Sequence, residues 1–590
     1  MGKDSEYAFL LSTKSSDKWK KFGIKKRAGI VVPVFSIYSK KSVGIGEFDD
    51  LRLLVDWCVN NKNSILQLLP LNEVGPFFCP YDSISSFALE PAYIALHQLA
   101  SADNPAIKKE LKQLKDDFPI TSRVDYRIKG EKLRILWNMF CIEEKEPTAE
   151  FAQFISKNAY WIYDFALFKT LKHHYQGKPW YEWDPVHKNR DEKALKEFSQ
   201  FHHKAILYHQ WVQWHLYNQL TAVNEYAHSR KVYLKGDLPV LVSCDSADVW
   251  SHQEFFKLEL AAGAPPDMYC ARGQRWGMPT YNWDTIRRDK FRYIKEKLIY
   301  AQNFYDLLRV DHVVGLFRIW SIPINDAMEH EGLNGFFDPR DEKEWGKQGR
   351  EVLSMILDAT DMLICAEDLG VIPKVCVDTL NEFGILGNDV QRWVKDWNKR
   401  HDFLDPSEYR PASVAMLSTH DTTNWPAWWE NEAGTIDEVL FMSKCHDRKI
   451  VYERVKPMLF DAQRSRFGRL RWKESVAAVD DLAYILGKPK NEIKDFIELY
   501  ENTFAEKEKL WSHLELSGKM REKCDSEIME AAMRLVLEAR AIFAINLITD
   551  YLYLFDALKG DPAKYRINRP GTISQDNWSL VIPCPLEKLI

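Results

Sequence analysis

The sequence contains 590 residues, of which 46% are hydrophobic and 28% are charged, and its net charge is −5. These values are typical of a globular protein that buries a large core. Because no block of Lys or Arg stands out, the sequence gives no reason to expect binding to nucleic acid or to a membrane surface.

The cysteines and the apolar segments predict a reducing, cytoplasmic protein. Ten Cys occur without a single CxxC pair, which favours neither a disulfide scaffold nor a zinc ribbon. The N-terminal segment "MGKDSEYAFLLSTKSSDKWKKF" lacks the apolar stretch of a signal peptide. The most apolar late stretch, 541–555, contains Asn546 and Asp550 and is too short to span a bilayer comfortably.

The first predicted elements alternate between strand and helix. Residues 28–39 are rich in Val and Ile and predict a strand. In 47–61 the apolar residues recur at helical spacing behind leading acids, which predicts a helix. Residues 63–75 predict a second strand. The order strand, helix, strand is typical of parallel α/β folds.

Further apolar runs of the same kind predict more strands, which brings the total to eight. Eight parallel strands with helices between them close a TIM-type (β/α)8 barrel. The segments 97–230 and 440–535 read as helices, and they predict helical insertions on a single catalytic unit that spans 1–590. The remaining predicted strands lie in 232–250, 307–317, 361–370, 389–394, 413–421 and 541–548.

Four of the predicted strands end in acidic residues. Asp245 follows the run "LPVLVSC" of the third strand, and Asp311 follows the run "LLRV" of the fourth. Glu367, with Asp368 beside it, ends the fifth strand, and Asp421 ends the seventh. Catalytic residues of TIM barrels lie at the carboxyl ends of the strands. Closure of the barrel would therefore bring these acids, which are far apart in sequence, onto one rim.

The surroundings of Asp311 and Glu367 differ in a way that suits cleavage of a glycosidic bond by two carboxylates. In a strand, Arg309 and Asp311 point to the same side. A neighbouring guanidinium keeps a carboxylate ionised and lowers its pKa, which favours Asp311 as the nucleophile. Glu367 emerges from an apolar strand, where desolvation raises the pKa of a carboxyl group, and this favours Glu367 as the general acid.

The same residues also have other interpretations. An Arg–x–Asp pair is often a structural salt bridge, and His–Asp after Ser–Thr can be a capping feature. The pairs Asp311/His312, Glu367/Asp368 and His420/Asp421 also offer His and carboxylate ligands for a metal. Against a metal, the sequence has no HxH or HExxH motif, and in a strand each His points away from its neighbouring Asp. The 21 Trp, 25 Tyr and 31 Phe indicate a large core, with some rings available to line a groove for sugars.

Several stretches, taken together and in order, resemble one known family. The family that they resemble is the 4-α-glucanotransferases of glycoside hydrolase family 77, also called amylomaltases or disproportionating enzymes. The similarity extends from Ala28 to Trp578, which is nearly the whole chain. The stretches that carry it are "SVGIGEFDDL", "PYDSISSFALEPAYI", "GKPWYEW", "KGDLPVLVSCDSADVW", "AGAPPDMYCARGQRWGMPTYNWD", "RVDHVVGLFR", "AEDLGVIP", "STHD" and "INRPGTISQDNW".

The resemblance implies retaining transfer of an α-1,4-glucan segment or glucosyl unit to the 4-hydroxyl of another glucan. Asp311 would be the nucleophile, Glu367 the general acid/base, and Asp421 the third carboxylate. Retention requires the two reacting carboxyl groups to lie about 5–5.5 Å apart. The residues that the resemblance implies in substrate binding are Tyr81, Asp245, Tyr269, Gln274, Trp276, Arg309 and His420.

The resemblance also implies the architecture and the substrates. The family fold is a TIM barrel with inserted, mainly helical subdomains and no C-terminal β-sandwich, and here an acceptor-side loop subdomain would occupy 251–300. Maltose and maltodextrins would be substrates, with glycogen or another soluble glucan as a further acceptor. No cofactor and no metal would be needed.

Departures from the family pattern leave alternatives open. Met278 replaces a residue that is usually polar in the compact bacterial enzymes, which affects the expected acceptor preference. Some stretches are similar to the cytosolic plant type that uses maltose, although the starch-binding modules preceding the barrel in that type have no counterpart here. An α-glucan hydrolase with the same acids is one alternative. A non-catalytic glucan-binding barrel is the other, and the presence of all three acids argues against it.

Overall fold

The computed structural model describes residues 3–143, 147–266 and 272–589. Within these ranges, eight short parallel strands form one sheet at the centre of the molecule. The strands are β1 (Arg27–Val32), β2 (Ile65–Leu68), β3 (Tyr233–Leu238), β4 (Leu307–Val310), β5 (Leu363–Ala366), β6 (Gly387–Val390), β7 (Ser413–Met416) and β8 (Phe543–Leu547).

The sheet closes into a barrel. Its strands are hydrogen-bonded in the order β6-β7-β8-β1-β2-β3-β4-β5. A parallel bridge between Cys365 and Leu386 then joins β5 to the residue that precedes β6. The predicted (β/α)8 barrel is therefore confirmed. Each predicted strand is present, although each is shorter than the apolar run that predicted it, because several runs continue into buried loops.

Helices cover the outside of the barrel, as the burial of parallel strands on both faces requires. The predicted helix after β1 is confirmed at Asp50–Asn60, and it buries Leu51, Leu54, Val55 and Cys58. The other helices that flank barrel strands are His203–Ser229, Arg292–Ala301, Glu342–Ala359, Lys374–Phe383, Ser526–Glu538 and Ile548–Leu554.

Two of the connections between strands carry extra structure above the barrel. Segments that follow β3 and β4 form an antiparallel sheet, with strands Gln274–Tyr281, Phe256–Ala264, Ile319–Pro323 and Phe336–Asp338 in that order.

The connection between β6 and β7, residues 391–412, lies entirely within the described residues and contains no α-helix. It holds only 3-10 turns and a short hairpin of Lys395–Asp396 with Asp402–Phe403.

The connection between β7 and β8 contains a unit with a hydrophobic core of its own. Phe441, Trp472 and Phe496 lie at the centre of this core, which is distinct from the core of the barrel. We call the residues 435–503 the inserted unit. Its elements are the hairpin Thr435–Asp437 with Arg469–Arg471, and the helices Glu438–Asp447, Tyr452–Leu459, Val479–Leu486 and Lys494–Thr503.

The connection between β2 and β3 begins with a loop and continues with helices that pack against the barrel. Helix His203–Ser229 runs along β3 and along the helix that follows β1. The other α-helices of this connection are Pro105–Asp117, Ile128–Glu143, Ala149–Lys157, Ile162–His174, Pro185–Lys188 and Glu192–Phe201.

A buried ionic network holds the base of the loop that follows β2 and contains Tyr81. Lys129 Nζ lies 2.9 Å from Glu90 Oε2 and 3.6 Å from Glu73 Oε1. Lys169 Nζ lies 2.6 Å from Glu73 Oε1. The two glutamate side chains are only 1% and 2% exposed. Since an unpaired buried charge is costly, the two lysines tie the helices to the base of the loop.

The variant Lys129→Met should destabilise the protein. It leaves the buried Glu90 without its cation, which costs about 3–5 kcal/mol in comparable buried pairs. Denaturant-induced unfolding, followed by circular dichroism, measures the change. The control Lys20→Met removes an exposed lysine, whose partner Asp17 is 92% exposed, and should change little. An unfolding midpoint equal to that of the control would contradict this account of the network.

Candidate active site

Asp311, Glu367 and Asp421 all line one cavity of about 2610 Å³ at the carboxyl ends of the barrel strands. Asp311 directly follows β4, and Glu367 directly follows β5. Asp421 lies shortly after β7. The structure therefore brings together three acids that are far apart in the sequence.

The Arg309 guanidinium links Asp311 to a further acid, Asp237, at the base of the site. Arg309 lies in β4, in register with Asp237 of β3. Its Nη1 donates hydrogen bonds to both carboxylate oxygens of Asp237, at 2.7 and 2.8 Å, and to Asp311 Oδ1 at 2.8 Å. The side chains of Arg309 and Asp237 are 8% and 0% exposed. One buried cation thus serves two carboxylates.

Burial raises the pKa of Asp311 to about 6, because desolvation outweighs the attraction of Arg309. The negative charges of Asp237 and Asp421 act in the same direction as burial. The sequence-based expectation of a lowered pKa for Asp311 is therefore wrong in its net direction, because burial of the carboxyl outweighs the attraction of Arg309, and the Asp237 charge adds to the effect of burial. At neutral pH the Asp311 carboxyl is still mostly ionised.

Glu367 is held by two backbone amides. The N–H of His312 donates to Glu367 Oε2 at 3.0 Å, and the N–H of Leu369 donates to Oε1 at 2.8 Å. Burial raises the pKa of Glu367 to about 7, against the opposing effect of Arg309 and with the help of the nearby Asp311 charge. Near neutral pH this carboxyl group is therefore present in both protonation states.

Asp421 is held in its ionised form. Asn568 Nδ2 donates a hydrogen bond to Asp421 Oδ1 at 2.7 Å, and His420 Nε2 lies 3.2 Å from Asp421 Oδ2. Burial acts to raise the pKa of Asp421, but His420 and Asn568 outweigh it and lower the pKa to about 2. The three acids of the cavity therefore have three different proton affinities.

Aromatic rings form one wall of the site. The Tyr81 and His420 rings are stacked, with centroids 5.1 Å apart and an interplanar angle of 15°, and the Trp578 ring lies beside both. The Tyr81 hydroxyl donates to Asp237 Oδ2 at 2.8 Å. His420 Nε2 is buried and has no well-aligned hydrogen-bond partner among the described residues. Its close neighbour is Asp421 Oδ2, at 3.2 Å.

Asp245 does not take the position that its sequence predicts. β3 ends at Leu238, because the next residue is Pro239, which cannot donate a hydrogen bond to a neighbouring strand. Asp245 is absent from the cavity lining. It accepts hydrogen bonds from Lys172 Nζ at 2.6 Å and from the Trp180 backbone at 3.1 Å instead. The prediction that Asp245 ends the third strand is therefore wrong, and Asp237 is the acid in that strand.

The segment predicted to cover the acceptor side is described only in part. Gln274 and Trp276 line the cavity, and Trp276 Nε1 donates to Gln274 Oε1 at 2.9 Å. The Trp276 and His312 rings are perpendicular to each other, with centroids 4.9 Å apart. Met278 also lines the cavity. Tyr269 lies outside the described residues.

Two residues of the site were not singled out from the sequence. Asp237 lies inside the quoted stretch "KGDLPV", and the proline that follows Leu238 was the signal that the strand ends there. Asn568 lies in "INRPG", in the segment after β8 that returns to the cavity. Its role as the partner of Asp421 carries no local sequence signal, since the contact joins distant parts of the chain.

Across 3–143, 147–266 and 272–589, no group of three or more His, Cys, Asp or Glu side chains is arranged to hold a metal ion. Over the same ranges, no helix is both long enough and apolar enough to cross a membrane.

A TIM barrel that gathers paired carboxylates and aromatic rings around one cavity defines the class of barrel enzymes that cleave glycosidic bonds. Comparison with known proteins gives the particular family. The model of the 4-alpha-glucanotransferases, glycoside hydrolase family 77, matches residues 32–585. The chain belongs to this family, and it is an enzyme that transfers glucan units between α-1,4-glucans.

Individual relatives agree with this assignment. The 4-alpha-glucanotransferase of Chlamydia pneumoniae is 34% identical over 581 residues, covering 98% of this chain and 95% of the relative. That of Chlamydia caviae is 32% identical over 586 residues, with the same two coverages. The amylomaltase from Streptococcus agalactiae in complex with acarbose has a TM-score of 0.67 at 23% identity, covering 94% of this chain and 95% of the other. This last likeness shows the fold.

Proposed function

We propose that the transfer proceeds with retention, and that Asp311 is the nucleophile and Glu367 the general acid/base. In the first step an Asp311 carboxylate oxygen bonds to the anomeric carbon of the donor. The glycosidic C–O bond breaks, and Glu367 gives its proton to the leaving oxygen. In the second step Glu367 takes the proton from the 4-hydroxyl of the acceptor. That oxygen displaces Asp311 from the anomeric carbon and closes a new α-1,4 bond.

The contact that carries this proposal is the hydrogen bond from the His312 backbone to Glu367. His312 directly follows Asp311, so the two carboxyl groups reach the same cavity from adjacent strand ends. The pKa order also suits the roles. Asp311, with a pKa near 6, is mostly ionised at a pH where Glu367, with a pKa near 7, still carries a proton.

In this mechanism Asp421, His420 and Tyr81 form the part of the cavity that holds the donor sugar. Asp421 is ionised and accepts hydrogen bonds only, so it suits the hydroxyls of the sugar that reacts. His420 lines the same part of the cavity as Asp421 and adds a further polar group. The Tyr81 ring offers an apolar face against which the sugar ring packs, and its hydroxyl is fixed on Asp237. These groups grip the sugar most tightly when it distorts toward the transition state.

The acceptor replaces water in the second step, which separates a transferase from a hydrolase. Gln274 and Trp276 cover the cavity beside His312 and suit the binding of an incoming sugar. A bound and oriented hydroxyl competes with bulk water because its effective molarity is high. Binding of the acceptor also displaces water from the reacting carbon.

The substrates of this proposal are maltose and maltodextrins, with glycogen or another soluble glucan as acceptor. The cavity of about 2610 Å³ exceeds the roughly 300–1,000 Å³ of ordinary small-molecule pockets. This size supports occupation by several glucose units. A cytoplasmic location is part of the same proposal, and the free thiols of the described cysteines, including the exposed Cys141, support it.

The variant Asp311→Asn tests the assignment of the nucleophile. Replacing one oxygen by an amide keeps the shape of the side chain but removes the attacking group. Turnover of maltotriose, measured by the release of glucose and longer products, should fall by at least about three orders of magnitude. Binding of maltodextrin, measured by calorimetry, should be largely retained. Activity near the wild-type level would overturn the assignment.

The pH dependence tests the charges around Asp311. Activity requires an ionised Asp311 and a protonated Glu367, so kcat/KM should fall below about pH 6 and above about pH 7. In the variant Asp237→Asn the repulsion by Asp237 is gone and Arg309 serves Asp311 alone, so the pKa of Asp311 falls. The acidic limb should therefore move to lower pH, whereas the basic limb stays in place.

The same variant keeps the shape of the side chain, and its amide oxygen can still accept from Tyr81 and from Arg309, while the second acceptor of Arg309 is replaced by an amide NH2 group. The pH profile of kcat/KM with maltotriose is the measurement. An acidic limb that stays in place or moves to higher pH would contradict the role given to Asp237.

A further inference from the structure

The cavity extends well beyond the reacting carboxylates, into a space between the 391–412 connection and the inserted unit. Neither the proposed chemistry nor the sequence-predicted site residues use this space. We call it the distal groove and define it by the residues Trp397, Leu404, Leu440, Lys444, Glu498 and Asn502, all of which line the same continuous cavity as Asp311.

The two walls of the distal groove come from different parts of the fold. Trp397 and Leu404 belong to the 391–412 connection, which replaces a barrel helix by turns and a short hairpin. Leu440 and Lys444 belong to helix Glu438–Asp447 of the inserted unit. The groove therefore exists only because the inserted unit stands against this connection.

The contacts between the walls hold the groove in a fixed shape. Lys395 Nζ forms a buried ion pair with Glu506, which follows the inserted unit. Asn502 Nδ2 donates to the Trp397 carbonyl oxygen at 3.4 Å, and His401 Nε2 lies 3.2 Å from Glu501 Oε2. A ligand would therefore meet a preformed site rather than a loose surface.

The lining of the groove combines an aromatic ring, aliphatic surface and polar groups. Trp397 is half-buried, and Leu440 adds apolar surface. Glu498 is exposed, and among the described residues its carboxylate has no hydrogen-bond or ion-pair partner. Lys444 Nζ lies 3.3 Å from Asp495 Oδ2, in a partly exposed pair that can also bind hydroxyls. Sugars need this combination, because their ring faces are apolar and their edges carry hydroxyls.

We propose that the distal groove binds remote glucose units of a long α-1,4-glucan chain while another part of that chain occupies the catalytic centre. Trp397 packs against a sugar ring, and Glu498 accepts hydrogen bonds from its hydroxyls. This inference rests on the proposed function, because it takes the Asp311 end of the cavity as the catalytic end. The groove then raises the preference of the enzyme for long chains over short oligosaccharides.

Continuity with the catalytic cavity is the reason to assign a glucan chain to the groove. The proposed substrates include maltodextrins and glycogen, which are chains of glucose units, so such a chain held at Asp311 projects along the open cavity into the space that adjoins it. A protein partner in the groove would have to enter the same opening and would block the substrate.

The variants Trp397→Ala and Glu498→Ala test the groove. The measurement is kcat/KM for a series of linear maltodextrins, from maltotriose to the long chains of debranched starch. Trp397→Ala should lower kcat/KM for the long chains about tenfold, as is usual for loss of an aromatic anchor, and leave maltotriose unchanged. Glu498→Ala should act in the same direction, and the fold should tolerate this change because the side chain has no partner among the described residues.

Two further variants serve as controls. Trp397→Phe keeps an aromatic face and should retain most of the activity on long chains. Trp137→Ala removes a partly exposed tryptophan of helix Ile128–Glu143 that does not line the cavity, and it should change neither activity. Binding of debranched starch to Asp311→Asn, with and without Trp397→Ala, should show the same loss of affinity without turnover.

The outcomes separate this inference from the proposed function. An equal loss of kcat/KM for maltotriose and for long chains, or no loss for either in both groove variants, overturns the inference and leaves the roles of Asp311 and Glu367 untouched. Full activity of Asp311→Asn instead overturns the proposed function.

Discussion

The arrangement of the active site depends on one buried cation. Arg309 donates from a single nitrogen to Asp237 on the neighbouring strand and to Asp311 at the end of its own strand. Two carboxylates this close would repel each other strongly in a buried site without the guanidinium. The parallel register that sets Asp237 opposite Arg309 is therefore also what holds the proposed nucleophile in place and ionised.

Around this cation the barrel gives each of three carboxyl groups a different environment. Asp311 shares its cation, Glu367 accepts hydrogen bonds from two backbone amides, and Asp421 has a histidine and an amide as close partners. The result is one acid that stays ionised at all physiological pH values, one that is mostly ionised, and one that exchanges its proton near neutral pH. Retaining transfer needs such a division of roles between neighbouring carboxyl groups.

Much of the barrel could be predicted from the sequence, because its strands are buried on both faces and appear as runs of apolar, β-branched residues. The strand ends were harder to place. The run after Pro239 is as apolar as a strand, and its Leu241 and Val242 are indeed buried, but they lie in a loop. Because of this apolar run, the end of the third strand was predicted at Asp245, and Asp237 was overlooked. The direction of the Asp311 pKa is set mainly by burial of the carboxyl in the folded barrel, and the partner of Asp421 is Asn568, which lies 147 residues further along the chain. Neither can be inferred from local sequence.

The most direct test of the central claim is to trap the covalent intermediate. The variant Glu367→Gln, incubated with a slow-reacting fluorinated maltosyl donor and digested, should yield a glycosylated peptide detectable by mass spectrometry. The account predicts that the sugar is attached to the peptide that contains Asp311, and to the Asp311 side chain within it. Attachment to a different residue, or release of a product with inverted anomeric configuration and no adduct, would contradict it.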